Sequence, residues 1–205
     1  EGFQHVFVLP AEGGAPRQIT SGDNFRQGPL AWSADGKSLY FSGNLSENWE
    51  YEPRESNVFR VTVADGSLEQ LTDRKGPDEH PVESPDGRQI AWVSTQGSSH
   101  FNLFVADLDA AGLHHARPLL GERRSKLDRY YYSAFDHAIN PSWSPDGKTL
   151  YYVSNPETEL GTGELWSVAL NDPAHRRRIL SEETSWSARP ELAPDGKRLL
   201  YSSYH

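Results

Sequence analysis

One short stretch recurs four times and restricts this chain to architectures built from repeated antiparallel hairpins. The copies are Gly28-Pro-Leu-Ala-Trp-Ser-Ala-Asp-Gly-Lys-Ser-Leu-Tyr-Phe-Ser42, His80-Pro-Val-Glu-Ser-Pro-Asp-Gly-Arg-Gln-Ile-Ala-Trp-Val-Ser94, Asn140-Pro-Ser-Trp-Ser-Pro-Asp-Gly-Lys-Thr-Leu-Tyr-Tyr-Val-Ser154 and Arg189-Pro-Glu-Leu-Ala-Pro-Asp-Gly-Lys-Arg-Leu-Leu-Tyr-Ser-Ser203. Each reads as a brief strand, a tight turn and a second strand rich in β-formers. Pro presets φ, Asp caps its own backbone, and Gly supplies positive φ at no steric cost. An Asp-Gly pair between apolar runs is a strong hairpin signal. The anchors Asp35, Asp86, Asp146 and Asp195 are spaced by 51, 60 and 49 residues. That period is close to a four-stranded propeller blade carrying insertions.

A second hairpin lies between successive anchors. His5-Val-Phe-Val-Leu9, Asn57-Val-Phe-Arg-Val61, Asn102-Leu-Phe-Val-Ala106 and Glu164-Leu-Trp-Ser-Val168 align with an aromatic at the third place. With the anchor hairpin named A–B and this one C–D, the order is CD, ABCD, ABCD, ABCD, AB. The expected fold class is all-β, a propeller of four-stranded antiparallel blades with four blade-equivalents in one domain, 1–205. Its parts are a CD hairpin at 3–20, blades at 28–72, 80–120 and 140–181, and an AB hairpin at 189–204. Pairing the terminal hairpins would close a ring and remove exposed edges. An arc of a larger propeller fits the same phase, and an incomplete ring would self-associate. The C–D turns are expected at Ala64-Asp65-Gly66, Asp109 to Gly112 and Asn171-Asp172-Pro173, and the last two D strands at 117–120 and 178–181.

Composition suits this reading. Aromatics reach 11%, and 17 Gly with 14 Pro supply turns. The net charge of −9 argues against a nucleic-acid partner, which needs clustered Lys and Arg. No apolar run approaches the ~20 residues of a membrane span, so no membrane partner is expected. Cysteine is absent, leaving the redox compartment unread. The chain starts at Glu1 and contains no Met, the pattern of a processed, excised or engineered piece.

The Trp-Ser-Pro-Asp-Gly-Lys-x-Leu-Tyr-Tyr hairpins resemble the repeats of TolB-type β-propellers over essentially the whole chain. Residues 3–95, with Gln4-His-Val-Phe-Val-Leu-Pro10, Asn48-Trp-Glu-Tyr-Glu-Pro53 and Leu71-Thr-Asp-Arg-Lys-Gly-Pro-Asp78, resemble the propeller of prolyl-oligopeptidase-type serine peptidases, including acylaminoacyl- and dipeptidyl-peptidase-like members. Residues 100–205, with Lys126 to His137 and Leu200 to His205, resemble the propeller of certain secreted amidohydrolases. A mosaic or engineered chain therefore stays open. The resemblance implies a periplasmic or secreted setting and a propeller that limits entry to a hydrolase active site.

Catalytic parts are missing from the sequence itself. There is no Gly-x-Ser-x-Gly nucleophile elbow, no His-x-His or His-Glu-x-x-His metal motif and no phosphate loop. His114-His115 reads as a surface turn. The expectation is no enzymatic activity, no metal and no cofactor, with a peptide or a partner protein domain as ligand.

Two groups of residues are candidates for binding it. The long B–C link carries Trp49, Glu50, Tyr51, Glu52 and Arg54. Its carboxylates and ring faces could hold an ammonium. In dipeptidyl peptidases a carboxylate pair anchors the substrate amino terminus, although that Glu-Glu pair is not reproduced here. The second group precedes the A strands, at the expected channel mouth: Glu79, His80, Asp136, His137, Asn140 and Arg189, with Arg26, Gln27 and Asp78 nearby. They could equally pair among themselves and hold blades together. The long link around Tyr130-Tyr131-Tyr132 reads as a loop packed over a blade.

Overall fold

A computed structural model describes residues 3–22, 28–97, 101–121, 138–154, 163–181 and 189–203. Sixteen strands are present among them, and no helix. β1 (Phe7–Val8) and β2 (Arg17–Gln18) form a hairpin. Three four-stranded antiparallel sheets follow: β3 (Ala31–Trp32), β4 (Ser38–Gly43), β5 (Asn57–Thr62) and β6 (Leu68–Gln70); then β7 (Asp78–Glu83), β8 (Gln89–Ser94), β9 (Asn102–Asp109) and β10 (Gly112–Pro118); then β11 (Ala138–Trp143), β12 (Thr149–Ser154), β13 (Glu164–Ala169) and β14 (Asp172–Leu180). β15 (Glu191–Leu192) and β16 (Leu199–Leu200) form the last hairpin. Within each sheet the strands pair in chain order.

The Asp-Gly turns are built from three groups. In the third sheet, Ser144 Oγ donates to Asp146 Oδ1 at 2.5 Å and accepts the Thr149 N–H at 3.0 Å. Asp146 Oδ1 also accepts the Lys148 N–H at 3.1 Å. Ser33–Asp35 and Ser84–Asp86 repeat the pattern. The fourth copy has Ala193 in place of Ser and keeps only the Asp195 contact to the Lys197 N–H.

The sheets stack face to face, and strict alternation divides each strand between its two neighbours. In the middle sheet Ile90, Trp92, Phe104 and Ala106 join Tyr40 and Val58 of the sheet before. Ala91, Val93, Leu103 and Val105 join Leu150, Tyr152, Trp166 and Val168 of the sheet after. Leu39, Phe41, Phe59 and Val61 close on Val6 and Ile19 of the first hairpin, and Leu199 of the last hairpin packs beside Val153 and Leu165. At Gly66 (φ +74°) a Cβ would stand 2.6 Å from the Ile19 carbonyl oxygen, so this turn presses directly on the first hairpin.

The aromatic at the third place of each C strand faces backward: Phe59, Phe104 and Trp166 each pack on the preceding unit. Phe7, their counterpart in β1, has no described unit before it and is 54% exposed. Leu200, the counterpart of Ala91, faces forward and is 69% exposed. Among the described residues the terminal hairpins are separate two-stranded sheets, without the ring-closing pairing of β16 with β1.

Two D strands begin earlier than the sequence suggests. β10 starts at Gly112 and β14 at Asp172, directly after tight turns, so the closing strands run far longer than the segments at 117–120 and 178–181. β14 is an outer, almost wholly exposed strand, which is why it tolerates Pro173 and the polar run through Arg176-Arg177-Arg178. His114 and His115 lie in β10 rather than in a turn, against Asp109 and Asp107 at 3.0 Å each.

Candidate functional site

The first strands of the four Asp-Gly hairpins, β3, β7, β11 and β15, stand at one edge of their sheets and meet one another: β3 touches β7, β7 touches β11 and β11 meets β15. A cleft of about 340 Å³ runs along these strands. The residue just before each turn Ser or Ala lines it: Trp32, Glu83, Trp143 and Leu192. Trp32 is 58% exposed. Trp143 Nε1 donates to the Val82 carbonyl at 3.0 Å, which ties the second sheet to the third. Ser142 Oγ donates to the Pro190 carbonyl and secures β15. The sequence reading passed over these wall residues because it followed the turns. The signal was the equivalence of four positions in the repeat.

Near one end of the cleft an X-Pro pair lies inside β7 and β11 and just ahead of β3 and β15. His80 and Asn140 both take the left-handed conformation, φ 54°, and each opens a bulge, between Glu79 and Val82 and between Ile139 and Ser142. This conformation costs most side chains about 1–2 kcal/mol, and Asn and His are among the few that enter it readily. Pro81, Pro141 and Pro190 are buried behind these positions, as is Asn140 itself.

The bulges bring three candidates together. His80 is held below the ordinary imidazole value by burial and then by the charge of Arg189, while a side-chain hydrogen bond to Asn140 acts the other way. Burial lowers Arg189 too, offset in part by the charge of Glu191. Glu79 is raised, by burial first and then by Asp78.

Asp78 has a different place. It is buried, and Arg74 reaches it through Nε at 2.9 Å and Nη2 at 2.8 Å. The same guanidinium donates to the carbonyls of Lys75 and Pro77, both at 2.6 Å, and to Ser94 Oγ at 2.8 Å. The Asp78 N–H donates to the Ser56 carbonyl at 2.9 Å. This knot joins the B–C link, the D–A link and the second sheet immediately ahead of Glu79 and His80. Sequence reasoning did not single out Arg74.

The acidic link lies elsewhere. Glu50, Tyr51, Glu52 and Arg54 are exposed, Tyr51 at 86%, and Trp49 is half-buried. The segment is a turn, in which the N–H groups of Tyr51 and Glu52 donate to the Asn48 carbonyl. Asn44 Nδ2 fastens it through the Glu52 carbonyl at 2.8 Å, and Glu55 accepts the Gly76 N–H at 2.6 Å. Glu52, Glu55, Asp73, Arg74 and Lys75 line a second cavity of about 480 Å³, which shares no residue with the axial cleft. Asp136, His137, Arg26, Gln27 and the Tyr130-Tyr131-Tyr132 run lie outside the described residues.

Comparison with known proteins agrees with this architecture. The family model for the dipeptidyl peptidase IV (DPP IV) N-terminal region matches residues 1–93. Dipeptidyl-peptidase 5 of Porphyromonas gingivalis is 25% identical over 191 residues, covering 83% of this chain and 25% of that protein. The peptidase-type likeness therefore extends beyond the first half. The Tol-Pal system protein TolB of Francisella tularensis is 24% identical over 172 residues, covering 83% of this chain and 34% of its own length. The chain thus spans a quarter to a third of these relatives. A crystal structure of TolB from Acinetobacter baumannii superimposes over 98% of this chain and 43% of that one, with a TM-score of 0.74 at 17% identity. The fold is an all-β propeller of four-stranded antiparallel blades, similar both to TolB and to the propeller region of dipeptidyl-peptidase-type proteins.

Proposed function

We propose that this chain is a non-catalytic binding and scaffold domain whose axial mouth and variable-loop face take up a peptide or a partner protein domain. One observation carries the reading. The inner strands border a cleft of about 340 Å³ that the exposed Trp32 lines together with Arg189, Glu83 and Glu191. A concavity with aromatic wall and a few polar groups is the usual form of a binding site. The similarity to dipeptidyl-peptidase-type proteins supports a finer version, in which the propeller limits access to a hydrolase active site by size. The similarity to TolB favours a second reading, a protein-interaction module acting in its own right.

Calorimetric titration of the purified chain with short peptides tests the proposal, alongside an assay for hydrolysis of aminoacyl-nitroanilides. Binding without turnover is expected, weakened in Trp32→Ala. Turnover by the purified chain would overturn the non-catalytic reading, and equal binding by Trp32→Ala would remove the cleft from it. Glu50→Gln with Glu52→Gln should weaken peptides with free amino termini and leave acetylated ones unchanged if the acidic link also contributes.

A further inference from the structure

Among the described residues, the arginines that are shielded from water have carboxylate partners, with one exception. Arg60 is bonded to Glu69 at 2.5 and 2.9 Å, and Arg74 to Asp78 at 2.8 and 2.9 Å. Arg189 is half-buried at the mouth of the axial cleft and makes no ion pair or hydrogen bond among the described residues. A guanidinium withdrawn from water without an acceptor is costly, and the cost is recovered when a planar anion meets its five donors.

The surroundings of Arg189 fit such an anion. The backbone around it is fixed, because buried Pro190 follows it and Ser142 holds the Pro190 carbonyl. His80 Nδ1 is buried and has no hydrogen-bond partner among the described residues, leaving Nε2 as the nitrogen that meets Asn140. With Nε2 bonded to Asn140, Nδ1 is the ring nitrogen left to face a ligand, and it donates when the imidazole is protonated. Glu191, two residues on at the start of β15, is exposed and remains solvated, so it acts on Arg189 through charge without pairing. The cleft volume of about 340 Å³ suits the end of a peptide or one side chain rather than a folded surface.

We propose that Arg189, with His80 and Asn140 beside it, is a carboxylate-binding subsite at the mouth of the axial cleft. It takes either the C-terminal carboxylate of a peptide or an Asp or Glu side chain. The proposal rests on the reading of the cleft as a peptide-binding site and adds the end of the ligand that is recognised. It also gives the X-Pro positions distinct tasks: Asn140 orients the imidazole, and Arg189 carries the charge.

Three acetylated tripeptides separate the sources and the failures: Ala-Ala-Phe with a free carboxyl terminus, the same peptide amidated, and amidated Ala-Asp-Phe. Calorimetry on the intact chain should show the first, the third or both binding at least about tenfold more tightly than the amidated neutral peptide. Preference for the first assigns the C-terminal carboxylate, and preference for the third assigns an acidic side chain. Arg189→Gln should abolish the preference, bringing the carboxylate peptides to within about twofold of the amidated neutral peptide measured on the same variant. Glu191→Gln, an exposed change that keeps the fold, should strengthen the carboxylate peptides by removing a competing charge. Equal binding of all three by the native chain overturns the subsite alone. No binding by any of them overturns the peptide-binding reading as well. Retention of the preference in Arg189→Gln, or weaker carboxylate binding in Glu191→Gln, also overturns the assignment.

Discussion

Replacing Arg74 with Met should destabilise the protein by about 3–5 kcal/mol, the cost of leaving a buried carboxylate without its cation. The figure follows from the geometry. Asp78 keeps only 2% of its side-chain surface and is held at 2.8–2.9 Å by two nitrogens of one guanidinium. Met retains most of the aliphatic stem, so lost packing contributes little. The carbonyls of Lys75 and Pro77 lose charge-assisted bonds, but they sit at an exposed link where water replaces the donor. Urea denaturation followed by tryptophan fluorescence gives the readout. With a slope of about 2–3 kcal/mol/M, the midpoint should fall by roughly 1–2 M at unchanged slope. The decisive comparison is Arg74→Met with Asp78→Asn. Removing the charge from the orphaned partner should recover part of the loss, so the double variant should be more stable than Arg74→Met alone. A cost below about 1 kcal/mol for Arg74→Met, or a double variant less stable than the single, would falsify the account of this pair as a buried, mutually dependent knot.

The turn serines make a simpler prediction. Ser144→Ala removes the acceptor of the Thr149 N–H and should cost about 1–3 kcal/mol, whereas Ala193→Ser supplies the missing hydroxyl and should stabilise the last hairpin by about 1 kcal/mol, both read by thermal unfolding. The turn aspartates also set an acid limit. Asp35 is held below the usual 3.8 by the Lys37 N–H and then the Ser33 hydroxyl, while Asp86 and Asp146 are lowered first by their turn serines and then by the Arg88 and Lys148 N–H groups. Because the folded values are depressed, their contribution is complete above about pH 4 and lost as pH falls through them. Asp86→Asn with Asp146→Asn should flatten the acid slope, and an unchanged slope would count against the mechanism. Burial, reinforced by the charge of Glu83, pushes the Tyr40 phenol up from 10.0 to about 12. A raised acid favours the neutral folded form, so this stability is present below pH 10 and disappears as pH rises toward 12; the near-ultraviolet difference between the native chain and Tyr40→Phe should titrate near 12, and a midpoint near 10 refutes it. Finally, the exposed faces at Phe7 and Leu200 should make this 23.0 kDa chain associate with rising concentration. Light scattering should show Phe7→Lys with Leu200→Lys to be monomeric throughout, and equal association by that variant removes these faces as the cause.

The hairpins were legible because their determinants are local: Ser, Asp and Gly within five residues build the turn, and period-two apolar runs build the strands. The mouth positions were legible too, since the phase of the repeat places His80, Asn140 and Arg189 at equivalent points. Other features required the fold. The partner of Arg74 depends on where a link returns, and the lack of a partner for Arg189 among the described residues depends on all of them at once. The starts of β10 and β14 escaped because exposed outer strands carry no apolar alternation. Whether the ring closes is likewise a question of distance between ends, which local pattern does not contain.

The X-Pro position has a consequence for how such a protein can change. His80, Asn140 and Arg189 occupy one place, six residues ahead of the turn Asp, in three copies of a unit whose turn and apolar face barely differ. The parts that let the chain stand and the parts proposed to meet a ligand are therefore written in separate letters. One substitution at this place alters the chemistry offered at the axis and leaves the stacking of the sheets untouched. A repeat used in this way works as a type case with interchangeable sorts, in which a new specificity is set by exchanging single characters.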